Sequence, residues 1–335
     1  MTGTLKIGLS YPAAIVDSST YLREGLDFAL TKINSTGGVL GRPVEILFID
    51  DKDDPNIAMQ VVDNFSNNGI QVVIGHWSSD VCYYAEDIYE KESIVMLSPN
   101  ATSTNLFHDA YKYIFCMLPN NDEFARYMAE FAAREGLRRI SVFYNDDEFG
   151  RDLAWETERA FKRYGILVVD RVSVLTAVSA ETIFYRWDAF GCDGVIVAAD
   201  LIEAIEPIRL IREYYPDIPI LSSESGNKQT TRDALGSAAR KVFTTNYDLS
   251  AIDPEFYQAY IKTFSHDPDM SAITAYVILY LLTDAMNRTQ RTDSGAIAEW
   301  LKSIRDYDTV MGRISYNEAT HSFEGQPVYI VEVTR

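Results

Sequence analysis

The sequence predicts an α/β protein made of two doubly wound parallel-sheet lobes joined by crossing hinge strands. Three observations predict it. Short apolar runs alternate with stretches of helical periodicity through the first two-thirds of the 335 residues. That alternation halts and starts again near residue 119. Three helical stretches then follow one another with no strand between them, which reads as a chain returning to pack on its earlier lobe. No low-complexity linker separates the lobes, so several strands cross between them in place of one tether.

Taken in order, LKIGLS (5–10) is a short apolar strand. Leu22, Leu26, Phe28, Ala29 and Ile33 recur at helical spacing, and Thr36-Gly37-Gly38 stops that helix. VEILFI (44–49) ends in the acidic turn Asp50 to Asp54, and Pro55 suits the first turn of the next helix. That helix carries Ala58, Val61, Val62 and Phe65 and closes at Asn67-Asn68-Gly69. VVI (72–74), a helix at 79–92 and IVML (94–97) complete the first unit. The second reads as helix 121–136, strand 140–144, helix 149–164, strand 166–174 and helix 180–190. It continues with strand 194–199, helix 202–214, strand 218–223, a helix near 227–236 and strand 241–246. Helices at 253–265, 271–288 and 294–304 lead to short strands at 310–315 and 327–333.

Composition narrows the partners. With 47% hydrophobic residues the chain can bury large cores. Thirty Lys+Arg against 49 Asp+Glu give a formal charge of −19 and a pI near 4.6, which argues against nucleic acid and against anionic membranes. No continuous apolar run approaches the ~18 residues of a membrane span. Cys82, Cys116 and Cys192 cannot all pair and none sits in a CxxC spacing, so all three read as small core residues. The chain opens MTGTLKIGLS, straight into a strand, so it is either cytoplasmic or has lost a secretory leader.

The stretch IGHWSSDVCYYAEDIYEKESIVMLSPNAT (74–102) carries the most function. It reads as strand, serine-opened helix, strand and a hydroxyl-bearing turn, so that Ser79 and Asn100/Thr102 lie past two neighbouring strand ends. Open α/β sheets bind ligands at that edge, and a helix N-terminus bearing a serine suits a carboxylate. The plainer reading, in which Ser79 only caps its helix and Thr102 only steadies a turn, stays open. In the second lobe Phe149, Asp200 and Glu224 each follow a strand end; the two acids read either as ligand contacts or as solvated loop acids. Hydroxyls on one lobe and carboxylates on the other would match a zwitterion. The acidic run Asp50–Asp54 lacks the Gly and Glu of a calcium loop and reads as a turn before a helix. His76, His108, His266 and His321 show no metal-ligand spacing.

Signals for catalysis are poor. GxSxG, GxGxxG after a strand and GxxxxGK[ST] are absent, and Ser222, Ser223 and Ser225 beside Glu224 have no nearby histidine as base. The chain therefore does not read as an enzyme.

INSTGGVLGRPVEILFIDDKDDP (33–55), GIQVVIGHWSS (69–79), IYEKESIVMLSPNAT (88–102), YNDDEFGRDLA (144–154) and DTVMGRISYNE (308–318) together resemble the type I periplasmic solute-binding proteins. The likeness is greatest to the Leu/Ile/Val-binding branch of ABC importers. It implies lobes at 1–118 plus 247–326 and at 119–246 plus 327–335. It also implies an amino acid bound without cofactor between them, hinge closure, an ABC membrane permease as partner and a periplasmic or extracellular location with the leader removed. A ligand-binding sensor domain for amino acids or amides is the alternative.

By the same resemblance the ligand carboxylate meets the Ser79 hydroxyl and the turn at Asn100, Ala101 and Thr102. The ammonium meets that turn and Glu224, and Phe149 packs on the ligand in place of a tyrosine. Four departures are visible. Asp200 and Ser18 stand where family members carry aromatics, Tyr21 being the next aromatic after Ser18. Trp77 replaces a smaller apolar residue. Asp53 and Ser78 stand where some relatives have a disulfide. Asp200 beside Glu224 favours a ligand with a polar or cationic side chain, or a differently posed ammonium.

Overall fold

The computed structural model describes residues 3–18, 20–106, 111–223, 228–247, 252–325 and 328–333. The chain divides into two compact units, residues 1–119 with 249–326 and residues 120–248 with 327–335.

The first unit starts β1 (Leu5–Tyr11), α1 (Ala13–Ser18), α2 (Tyr21–Ser35), β2 (Val44–Asp50), α3 (Pro55–Asn67), β3 (Val72–Ile74), α4 (Ser79–Glu92), β4 (Val95–Ser98) and β5 (Ile114–Cys116). The second runs α5 (Asn121–Arg134), β6 (Arg139–Tyr144), α6 (Glu148–Arg163), β7 (Leu167–Val172), α7 (Ala177–Phe190), β8 (Gly194–Ala198), α8 (Leu201–Tyr214), β9 (Ile220–Ser222), α9 (Lys228–Leu235), a 3-10 turn and β10 (Val242–Tyr247). The chain then returns to the first unit with α10 (Pro254–Phe264), α11 (Met270–Thr289), α12 (Ser294–Lys302), β11 (Tyr307–Thr309), β12 (Gly312–Asn317) and β13 (Ser322–Glu324). It ends in the second with β14 (Val328–Glu332).

Each unit holds one sheet. The first has eight strands in the order β11-β12-β13-β5-β4-β3-β1-β2, the second six in the order β14-β10-β9-β8-β6-β7. Pairing is parallel from β2 through β13 and from β7 through β10; β11, β12 and β14 add antiparallel edges. Counting strands from the start of each unit, both sheets share the order 2-1-3-4-5. That order has its topological switch point between the first and third strands.

Helix starts use the acidic composition. Asp54, Asp147, Asp253, Asp269 and Asp293 each accept a backbone N–H at the N-cap of α3, α6, α10, α11 and α12. Part of the excess negative charge is therefore structural. Pro55 and Pro254 occupy first-turn positions that need no N–H donor.

The first unit's core is centred on α11, whose buried residues lie against α2 and α10. Phe28, Phe256 and Tyr276 meet there, with the Phe256 and Tyr276 rings 4.6 Å apart. Gly25 permits the α2–α11 approach: a Cβ at that position would sit 2.1 Å from the carbonyl oxygen of Ala272. In the second unit Trp187, fully buried, packs with Phe184, Ile208 and Val242.

By length and composition α11 is apolar enough to cross a bilayer, but Ser271, Thr274, Thr283 and Asp284 break its apolar run. Most of it is buried inside the unit, as a core helix is. The strand expected at 310–315 is a hairpin, with Val310 and Met311 forming the turn between β11 and β12. The short elements α1, β5 and β13 were not given in the element-by-element reading.

Candidate functional site

In the first unit the connections leaving β1 and β3 flank the switch point. The β1 connection carries α1, which Ser18 closes, and Tyr21, which opens α2. Tyr21 is half-buried and edge-on to His266, ring centroids 5.1 Å apart. The β3 connection carries Trp77, Ser78 and Ser79, and β4 beside it runs into the turn at residues 98–103.

The helix cap is Ser78, not Ser79. Ser78 has extended backbone angles and its Oγ accepts from Val81 N at 3.3 Å. Its hydroxyl donates to Asp53 Oδ1 at 2.5 Å, so a hydrogen bond joins the two positions where the resemblance implies a disulfide in some relatives. Ser79 is thereby released from capping. Its side chain is buried, and its Oγ accepts from the amides of Thr102 at 3.3 Å and Ser103 at 3.4 Å. Both lone pairs are used, and among the described residues the hydroxyl proton goes to no acceptor. An O–H whose oxygen accepts two bonds is polarised toward donating.

The turn is built by groups the sequence reading passed over. Ser98 Oγ accepts from Ala101 N at 2.9 Å and from Asn100 N at 3.3 Å. Tyr11 donates its hydroxyl to Asn100 Oδ1, and the Cys116 thiol donates to the carbonyl of Ala101 at 2.6 Å. Cys116 is therefore more than a small core residue. Ala101 and Thr102 are buried and Asn100 half-buried. The amides of Asn100 through Ser103 donate to the Ser98 and Ser79 hydroxyls. The bonds to Ser79 are the long ones, and a carboxylate, being a stronger acceptor, competes best there.

The second unit repeats the arrangement. Connections leaving β6 and β8 flank its switch point. The first places Asp147 at the N-cap of α6, its Oδ1 accepting from Gly150 N at 2.6 Å, with the half-buried Phe149 in the first turn. Gly150 is needed for the close approach, since a Cβ there would lie 2.4 Å from Asn145 O. The second places Asp200, half-buried, at the N-cap position of α8. At the end of β9, Ser223 donates its hydroxyl to Ala199 O at 2.5 Å, so it already serves the backbone. Glu224 lies outside the described residues.

The acidic turn is explained acid by acid. Asp50 accepts from Ala13 N and Lys52 N, both at 2.9 Å, Asp51 from Asp53 N at 3.0 Å, and Asp54 caps α3.

A family model described as periplasmic binding protein matches residues 4–335. The chain belongs to that family. Among curated relatives of this periplasmic binding protein, the Leu/Ile/Val/Thr-binding protein of Salmonella typhimurium is 28% identical over 304 residues, covering 88% of this chain and 81% of the relative. The leucine-, isoleucine-, valine-, threonine- and alanine-binding protein of Pseudomonas aeruginosa is 25% identical over 328 residues, 94% of this chain and 86% of that one. An ABC transporter substrate-binding protein from Desulfitobacterium hafniense, solved in complex with Leu, matches in structure with a TM-score of 0.84. It is 27% identical, with 98% of this chain and 96% of that chain covered. This periplasmic binding protein is accordingly of type I and of the Leu/Ile/Val-binding branch, as the resemblance implied. Its family is one of solute-binding proteins.

Proposed function

We propose that this protein is the extracytoplasmic solute-binding component of an ABC importer, taking an amino acid or close relative between its two units. The observation that carries the reading is Ser79, a buried, polarised hydroxyl at a switch point beside the turn at 98–103. It would donate to the ligand carboxylate, with Thr102 and the turn beside it. Glu224, Asp200 and Phe149 would meet the ammonium and side chain from the second unit. Ligand touching both units favours a closed state, and that differential contact drives the change. A membrane permease would receive the closed form in the periplasm or outside the cell. Relatives whose names specify aliphatic amino acids, and one solved with Leu, support the amino-acid class. Asp200 in place of an aromatic favours a polar or cationic side chain.

A thermal-shift screen of the amino acids identifies the ligand, since a compound at ~100 times its Kd adds about 2.7 kcal/mol. Calorimetry on Ser79→Ala and Glu224→Ala with that amino acid then tests the site. Charge-assisted hydrogen bonds are worth about 1.5–3 kcal/mol each, so each variant is expected to bind at least about tenfold more weakly. Unchanged affinity in Ser79→Ala sinks the site, and a screen with no stabilising amino acid sinks the ligand class.

A further inference from the structure

We infer that His76 is a positioning residue for the turn at 98–103, held by Asp51. The inference rests on the reading of that turn as the carboxylate subsite. His76 follows β3, and both its side chain and that of Asp51 are completely buried. A buried carboxylate beside a buried imidazole is costly unless every polar atom is bonded, and here each one is. His76 Nδ1 lies 2.6 Å from Asp51 Oδ2. Ser10 Oγ donates to the same oxygen at 2.9 Å, and Asp53 N donates to Asp51 Oδ1 at 3.0 Å. A carboxylate only accepts, so Nδ1 carries the proton. In the neutral ring Nε2 then accepts from the Tyr89 hydroxyl, 3.1 Å away.

The ring is thus clamped at both nitrogens, and the residue's main chain is fixed with it. That main chain supplies the next link. The carbonyl of His76 accepts from Ser98 Oγ at 2.9 Å. A serine hydroxyl donates once, so this bond dictates where its lone pairs point, and they point at the amides of Ala101 and Asn100. Distances rank the two serine hydroxyls that accept the turn's amides, beside the bonds that Tyr11 and Cys116 make to it. Ser98 holds Ala101 at 2.9 Å, whereas Ser79 holds Thr102 and Ser103 at 3.3 and 3.4 Å. The firmer anchor therefore runs back through Ser98 to His76 and Asp51. Met117 N fixes the backbone of Ser98 separately, through its carbonyl at 2.8 Å, so losing the His76 link should loosen the turn and leave the strand.

Asn100–Ala101 is the one Asn-Ala pair in the sequence. Labelling alanine with 15N and asparagine with 13C at the carbonyl therefore isolates the Ala101 amide by NMR, without any ligand. His76→Leu keeps the bulk and removes the clamp, whereas His76→Asn keeps an N–H for Asp51. Losing the bond to Ser98 should speed Ala101 hydrogen exchange about tenfold in His76→Leu. His76→Asn and Tyr89→Phe should stay within about twofold of the unmodified protein. Should His76→Leu fail to fold, Ser98→Ala carries the same expectation. Exchange at Ala101 unchanged in the His76→Leu or Ser98→Ala variant overturns the inference, as does equal disturbance in His76→Asn, which would mean that the ring only fills space. L-leucine calorimetry separates this from the site reading. Weaker binding in both Ser79→Ala and His76→Leu supports both claims. Weaker binding in Ser79→Ala alone removes the role of His76. No effect in Ser79→Ala removes the site reading, whereas no binding of L-leucine by the unmodified protein removes only leucine as the ligand; in either case the amide result decides the clamp.

Discussion

Asp269 opens α11 with its carboxyl almost completely buried, accepting from Ala272 N at 3.0 Å. Burial pushes that carboxyl up from 3.8 to about 7, while the amides of Ala272 and Ser271 pull the other way. The folded state therefore holds a proton that the unfolded chain releases. The group's contribution to stability is complete below about pH 4 and is lost as pH rises toward 7. Asn at this position keeps the cap and has no charge to bury. Asp269→Asn is thus expected to match the unmodified protein near pH 4 and to exceed it above pH 7 by at most about 4 kcal/mol, read from denaturant melts across pH. A difference independent of pH would show that the carboxyl titrates normally. At this scale legibility was uneven. Ser79 could be found because a serine following a strand is a visible signal. Ser98, His76 and Asp51 could not, because their importance lies in hydrogen bonds between residues 22 to 25 positions apart. The swap between Ser78 and Ser79 as cap turns on backbone angles that two adjacent serines do not reveal.

Elements were easier to read than their contacts. α4 and β3 fall where the periodicity put them, and α3 starts and stops on its Pro and Gly signals. Short strands such as β11, at the sheet edge, and β13, between β12 and β5, were hidden, since their formation depends on a neighbour already in place. Gly25 shows the same limit: inside α2 it looks like a mere weak point, yet it is where α11 comes closest. Gly25→Ala must displace the main chain of α11, because a carbonyl oxygen cannot rotate aside as a flexible side chain does. The expected loss is about 3 kcal/mol, at the top of the range for overpacking. Gly295, in α12, is the contrast. An added Cβ meets only Asp293 Oδ1 at an ordinary 3.5 Å, so Gly295→Ala should gain about 0.5–1 kcal/mol. Thermal melts of the two variants should move in opposite directions.

At the scale of the molecule, the same strand order appears in both units although each is assembled from separated stretches of chain. The sequence announced the repetition through its alternating pattern, but the proposed site draws on both halves, and no spacing rule connects Ser79 with Glu224. The cysteines offer a way to watch the halves separately. Cys82 and Cys116 are buried in the first unit, Cys192 is half-buried in the second, and none of the three is in a disulfide. Burial raises the Cys82 and Cys192 thiols, so alkylation of either waits for local opening. Iodoacetamide followed by peptide mass spectrometry therefore becomes a pair of clocks, one per unit, with Cys192 expected to mark first. A solute gripping both halves slows every clock; one held by the first half alone slows Cys82 and Cys116 and lets Cys192 keep its pace.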